Sequence, residues 1–194
     1  MSHDTTTRKV FGITLETIVR RILRTFDAAT TADIEAGARW YDEAGQLAAD
    51  LAEQAGSVDH AAVVIAHLSP RTAWARNVAG AVELIRNGTR YNGIIGSLYE
   101  RALASLEFDD PFDSFGPTAP KTRSFAANIA GDREAVTVDV WACRVADLDE
   151  TLLGRKGAYD AVAHAYRLAA RRRGVDPATM QATTWVVARN GRAS

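Results

Sequence analysis

The chain has 194 residues, 47% of them hydrophobic, and a formal net charge of −1, which is enough for one globular unit or two small lobes with a substantial core and gives no overall electrostatic case for nucleic acid. Its single cysteine, Cys143, excludes an intramolecular disulfide and a four-cysteine zinc or iron–sulfur site supplied by this chain alone. No apolar run approaches the length that crosses a bilayer, and Met1 to Arg8 lacks an apolar signal core, so the expectation is a soluble, cytoplasmic protein with no membrane contact.

Taken in order, the apolar residues recur at three- and four-residue spacing. The first set is Leu15, Ile18, Val19, Ile22, Leu23 and Phe26; the next are Trp40, Ala44, Leu47 and Leu51, then Val63, Val64, His67 and Leu68, then Val78, Val82 and Ile85. Thr30 or Thr31, Asp59, Ser69-Pro70 and Asp176-Pro177 read as helix starts, and Gly56, Gly88, Gly131 and Gly174 as helix stops. A second group of helices is expected at about 93–105, 120–129, 139–148, 157–173 and 178–188. Between them, Phe108 to Pro120 holds three prolines and Gly116 and reads as a connecting loop. No alternation at strand period is long enough to build a sheet, so the fold class is all-α.

Arginine is unevenly placed. Arg20, Arg21 and Arg24 cluster, Arg171, Arg172 and Arg173 form a run, and Arg189 and Arg192 lie near the end. Brought together in space they form a phosphate-facing patch; kept apart they are solvated helix faces and ends.

The chemistry concentrates on Lys121 and Asp139. Only three lysines, Lys9, Lys121 and Lys156, stand against twenty arginines, and Lys121 falls in the first turn of a helix, the end that disfavours a cation. Asp139 stands at the next helix start, where a carboxylate caps backbone N–H groups and the helix dipole favours its charged form. An amine and a carboxylate so placed suit attack on an anomeric carbon with Schiff-base formation, the carboxylate stabilising the sugar cation or taking up a proton. His67 and His164 read as hydrogen-bonded core histidines, with no partner at metal-ligand spacing, so neither a metal nor a cofactor is expected. Of the aromatic groups Trp40-Tyr41, Trp74, Trp141 and Trp185, which fill cores in most helical proteins, Trp141 alone is expected to face a pocket, because it follows Asp139 by two residues.

The stretch Gly116 to Val145 resembles the active-site segment of the helix-hairpin-helix DNA glycosylase superfamily, the endonuclease III-like group, whose signature runs Leu-Pro-Gly-Val-Gly-x-Lys-Thr-Ala, an apolar helix, then Val-Asp-Thr-His-(apolar)-x-Arg-Val. Here those places hold Lys121-Thr122, Phe125 to Ile129, and Val138-Asp139 through Arg144-Val145, and Asp139 follows Lys121 by eighteen residues, the family's separation. The segment from Val64 to Thr72 is similar to the early one ending Leu-Ser-x-x-Thr, and Met180 to Trp185 to the late Gln-Ala helix. The departures are Pro117, Ala119 and Pro120 in place of the hairpin glycines, which removes N–H donors to a phosphate, and the absence of cluster cysteines.

The resemblance implies two helical lobes with a cleft between them. Residues 32–132 form the central lobe with a degenerate hairpin; 1–31 and 133–194 form the other. It implies DNA as partner and excision of a flipped-out damaged or modified base, with a lyase step if Lys121 is the nucleophile, whose amine would be activated by partial burial, a nearby arginine or the helix end. Lys121 and Asp139 are then catalytic; Trp141, His67, Ser69 and Gln181 meet the base; Arg71, Thr118, Thr122 and Arg123 meet the DNA. A transferase that modifies a base on the same scaffold, and a non-catalytic DNA- or protein-binding module, are the alternatives.

Overall fold

In the computed structural model the described residues are 9–10 and 12–191; the expectations on Met1 to Arg8 and on Arg192 lie outside them. Among the described residues nine α-helices follow one another: α1 Leu15–Asp27, α2 Thr31–Ala55, α3 Val58–Leu68, α4 Trp74–Asn87, α5 Gly96–Ser105, α6 Pro120–Ile129, α7 Val140–Val145, α8 Ala158–Arg173 and α9 Pro177–Arg189. Ahead of them β1, Lys9–Val10, pairs antiparallel with β2, Ile13–Thr14, in a minimal hairpin. The fold class is all-α, and among the described residues no helix is long and apolar enough to cross a membrane.

The chain divides into two compact units. One takes the N-terminal part through Tyr41 together with the chain from Arg133 onward, and the other is Asp42–Asp132, so the division falls inside α2.

In the first unit, the three- and four-residue spacing of α1 puts Leu15, Ile18, Val19, Ile22, Leu23 and Phe26 on one buried face. That face meets Val136 and Val138 of an extended segment, Val145 of α7, Val162 and Tyr166 of α8, and Met180 of α9 in a single core. Ile18, Val19 and Ile22 are wholly enclosed, a burial worth about 1.5–3 kcal/mol for each side chain. The Asp176-Pro177 start of α9 is as expected, with Asp176 accepting from Thr179 N at 2.8 Å. At the other end of α8, Gly174 takes a left-handed φ of 66° and its amide closes on the Ala170 and Arg171 carbonyls, a turn that a side chain would strain.

In the second unit α3 is central, packed by α4, α5, α6 and a short 3-10 turn at Pro111–Ser114. Its core includes Val63, Ala66, Phe115 and Ala126, with Phe112 and Phe125 against it.

Four local expectations are corrected. Ser57, not Asp59, caps α3, its hydroxyl accepting from His60 N at 3.2 Å; Asp59 is a first-turn acid. Ser69-Pro70 does not open α4: Ser69 ends α3, its hydroxyl donating to the Ala66 carbonyl at 2.8 Å, and α4 starts five residues later behind Ala73 with no side-chain cap. The 108–120 connector contains the 3-10 turn, which Asp110 caps. Helix α7 is six residues long, shorter than the 139–148 span expected, because it ends in a turn with Asp147 at φ 50°. Thr30 is the residue that opens α2: its hydroxyl accepts from Asp33 N, and Asp33 answers by accepting from Thr30 N at 2.8 Å, a reciprocal capping arrangement.

Candidate functional site

Asp139 is delivered by an extended segment, residues 134–138, pinned from several sides. Tyr159 of α8 donates its hydroxyl to the Val136 carbonyl at 2.8 Å and accepts from Val138 N at 3.1 Å, so one oxygen bridges the segment just before the acid. Arg167 holds the Glu134 carbonyl at 3.0 Å, and Ala178 N at the start of α9 holds that of Arg133 at 3.1 Å. The valines at 136 and 138 face the core while Asp139 emerges half-buried and caps α7, accepting from Ala142 N at 2.9 Å. A carboxylate fixed this way pays its ordering entropy during folding rather than at the moment of reaction.

Behind it lies a buried polar chain within the same unit. Tyr41 donates to Oε1 of Gln181 at 3.0 Å, and Thr137 shares a hydrogen bond with the Tyr41 hydroxyl. Tyr166 is buried beside Thr184. Burial drives the hydroxyls of Tyr41 and Tyr166 well above the usual phenol range, and the negative charge of Asp139 pushes both the same way. The buried Cys143 thiol is pushed up to about 11 by burial and then by the Asp139 charge. All three groups remain protonated at neutral pH, and all three feel the same carboxylate.

Trp141 is half-buried on the first unit's core, with the Arg144 guanidinium over its ring at 4.5 Å, so one face of the indole is already covered. Gln181 is buried at 5% exposure in the chain with Tyr41. Asp139, Gln181 and Trp141 thus all belong to the first unit.

The remaining sequence-derived residues belong to the second unit. His67 is buried; its Nε2 is 2.9 Å from Ser114 Oγ and its ring stacks on Phe115 at 4.5 Å. Because Ser114 gives its only hydroxyl proton to the Pro111 carbonyl at 2.6 Å, His67 must be the donor, through Nε2–H. Burial, assisted by the Arg101 charge, lowers its pKa to about 4, so it is a neutral ring. Ser69 is spent on the end of α3, as above. Arg71 is exposed and held at φ 58°, a left-handed conformation that costs a non-glycine residue of order 1–3 kcal/mol, within a turn closed by Thr72 N and the Ser69 carbonyl at 3.1 Å.

Lys121 is the second residue of α6, after Pro120, and is exposed, in contrast to the partial burial anticipated for a nucleophilic amine. Neither a side-chain cap nor an acid in the first turn occupies that helix start. Thr118 is exposed and Thr122 half-buried beside it. Arg123 is drawn back: it donates to the Phe112 carbonyl at 2.7 Å and lies over the Phe112 ring at 5.5 Å.

Two of the arginine-rich segments meet: Arg20 and Arg24 of α1 and Arg173 of α8 line one shallow hollow with Leu23, Asp27 and Ala28, and carboxylates accompany them there. Arg172 forms a two-pronged pair with Glu16 at 2.8 and 2.6 Å, Arg173 another with Asp27 at 2.7 and 2.6 Å, and Arg21 pairs with Asp147 at 2.9 Å. These guanidiniums hold the Glu16 and Asp27 carboxyls below the usual range and tie α1 to α8. Carboxylate partners far along the chain could not be read from the arginine run itself. The hydrogen-bonding roles of Tyr41, Thr137 and Tyr159 were likewise missed, since a buried hydroxyl carries no spacing signal.

A protein-family model described as a family of unknown function (DUF7178) matches residues 4–192, and the chain belongs to that family. No curated protein and no solved structure gives a match.

Proposed function

For this member of a family of unknown function, we propose that the chain is a DNA base-excision enzyme of the helix-hairpin-helix glycosylase kind, acting on a damaged or modified base drawn out of the duplex. The observation that carries the reading is Asp139: a half-buried carboxylate capping α7 from the residue before it, set by a pinned segment, beside a buried run of hydroxyls and an amide. Such a carboxylate stabilises positive charge at the sugar C1′ as the glycosidic bond breaks and the base leaves with the bonding pair. Lys121 is the amine assigned to C1′ by the motif: its nitrogen forms the N–C1′ bond as the base departs, the C1′–O4′ bond then breaks with its electron pair and a proton going to O4′, and the remaining amine proton passes to solvent to leave an imine. Two features of the second unit support an anionic partner: the uncapped, acid-free start of α6 that carries Lys121, and the outward, strained Arg71.

Borohydride trapping on duplexes that carry single damaged or modified bases tests this. The expected result is a covalent adduct that Lys121→Ala abolishes, and base release that Asp139→Asn abolishes without loss of folding. An adduct that survives Lys121→Ala moves the nucleophile to another amine, and inertness toward every duplex refutes the reading. The exposure of Lys121 and the prolines at 117 and 120 favour one second reading, a transferase that alters the extruded base instead of removing it; it predicts no adduct, and a gain in mass of the duplex once a co-substrate is supplied.

A further inference from the structure

Beside its buried face, α1 presents another row of side chains. Residues 20, 23, 24 and 27, with the cap residue 28, keep the three- and four-residue spacing that stacks side chains along one side of a helix. Together with Arg173 at the end of α8 they line an open hollow of about 630 Å³. The guanidiniums of Arg20, Arg24 and Arg173 face the carboxylate of Asp27 there, so positive charge is in excess.

Folding engages one of the three. Arg173 grips Asp27 through two bonds, 2.7 and 2.6 Å long. Arg20 has a 3.5 Å contact from Nη2 to the Thr17 hydroxyl, and the carboxylate that feels its charge, Glu16, is already held by Arg172 in two bonds. Arg24 has no hydrogen bond or ion pair with any described residue. Arg20 and Arg24 stand four residues apart on one helix, where like charges repel, and Arg173 brings a third cation to them. Arg24, in the last turn, suits the carbonyl end of α1, but Arg20 lies about two turns back from Asp27, beyond the reach of that effect. The helix therefore carries a cation pair that its own fold does not neutralise.

The shape selects the anion. A hollow bounded by one helix face and the end of one neighbouring helix cannot enclose a small molecule, whose sites bury most of its surface. Leu23, its largest apolar side chain, is only 8% exposed and offers no seat for an apolar peptide side chain. A phosphodiester strand needs neither enclosure nor an apolar seat, because charge holds it at the surface and each guanidinium matches a phosphate with two parallel N–H bonds. Arg20 and Arg24 offer two such forks, one helical turn or about 6 Å apart along α1.

We propose that this hollow is a contact surface for a nucleic-acid backbone, with Arg20 and Arg24 each taking a phosphate and Asp27 fixing Arg173 beside them. It rests on the DNA partner of the reading above and not on its chemistry, since neither Lys121 nor Asp139 takes part.

The experiment is fluorescence anisotropy with a labelled duplex that carries no damaged base, titrated at salt concentrations from about 50 to 200 mM. The logarithm of the binding constant falls linearly with that of the salt, by about 0.9 for each phosphate neutralised. Arg20→Gln and Arg24→Gln should each make the fall shallower by about 0.9 and weaken binding at the lowest salt on the order of tenfold, and the double variant should show both losses. Arg24→Lys, which keeps the charge, should retain the wild-type slope. Arg39→Gln, at an exposed arginine of α2 outside the hollow, should change neither slope nor affinity. Both hollow positions are exposed, and either single variant carries the test if the other does not fold. A wild-type slope in the folded variants, or an equal change in Arg39→Gln, overturns the proposal and leaves base excision standing. The expected slopes in a protein that excises no base uphold the surface and refute the excision. Polyglutamate that binds with the same dependence on both arginines, where the duplex does not, assigns the hollow to an acidic protein segment and overturns the nucleic-acid partner. A protein that binds no duplex at the lowest salt overturns both readings.

Discussion

Acidification should destabilise this protein through His67 before its carboxylates titrate. The ring is buried, neutral and committed as a donor to Ser114, and its pKa in the fold is about 4 against 6.5 for a free histidine. Between those values the unfolded chain binds a proton that the folded one refuses, so stability falls as pH drops from 6.5 toward 4 and His67 adds no slope above that window. At about 1.4 kcal/mol for each pH unit the full loss is on the order of 3 kcal/mol, of which about 2 kcal/mol should be gone between pH 7 and pH 5. Urea unfolding followed by circular dichroism across pH 4.5 to 7.5 measures it. His67→Gln, whose amide still reaches Ser114 but does not titrate, should flatten the curve above pH 5. The ion-paired Glu16 and Asp27 have lowered pKa values, so their stabilisation is present above the ordinary carboxyl range and is lost only below it. A variant with the same slope as the wild type in the window from 5 to 6.5 would refute the assignment.

Two further outcomes follow from the first unit. Asp139→Ala should cost about 1 kcal/mol of stability through loss of the α7 cap, whereas Asp139→Asn, which can still accept from Ala142 N, should stay within a few tenths of the wild type; equal urea midpoints for the two variants would show that the cap contributes nothing. Cys143 is 1% exposed and its thiol is pushed up to about 11 by burial, so a disulfide reagent at pH 8 should label it only at the rate at which the protein opens, and immediate labelling of the folded protein would contradict its burial.

What the sequence determined by itself is the local part. The spacing of Leu15, Ile18, Val19 and Ile22 specifies a helix with one apolar face because side chains three and four apart share a side of any α-helix. Asp176-Pro177 and Asp139 mark helix starts because a carboxylate needs only the amide three residues ahead of it. The same local rule misled at Asp59, where Ser57 two residues earlier takes the cap, and at Ser69-Pro70, where Ser69 closes α3 and α4 starts behind Ala73 without a side-chain cap. Tertiary structure alone decided the rest. Arg172 and Arg173 read as free charges until α8 is laid against α1, where Glu16 and Asp27 meet them. His67 acquired its donor role from Ser114, a residue in a different element, and Tyr41 found Gln181 across 140 residues, at a distance set by the missing side chain of Gly37. A hydrogen bond between residues distant in the chain forms only after the entropy of closing the intervening chain has been offset by core burial, and no pattern in the local sequence records which buried groups will then stand face to face.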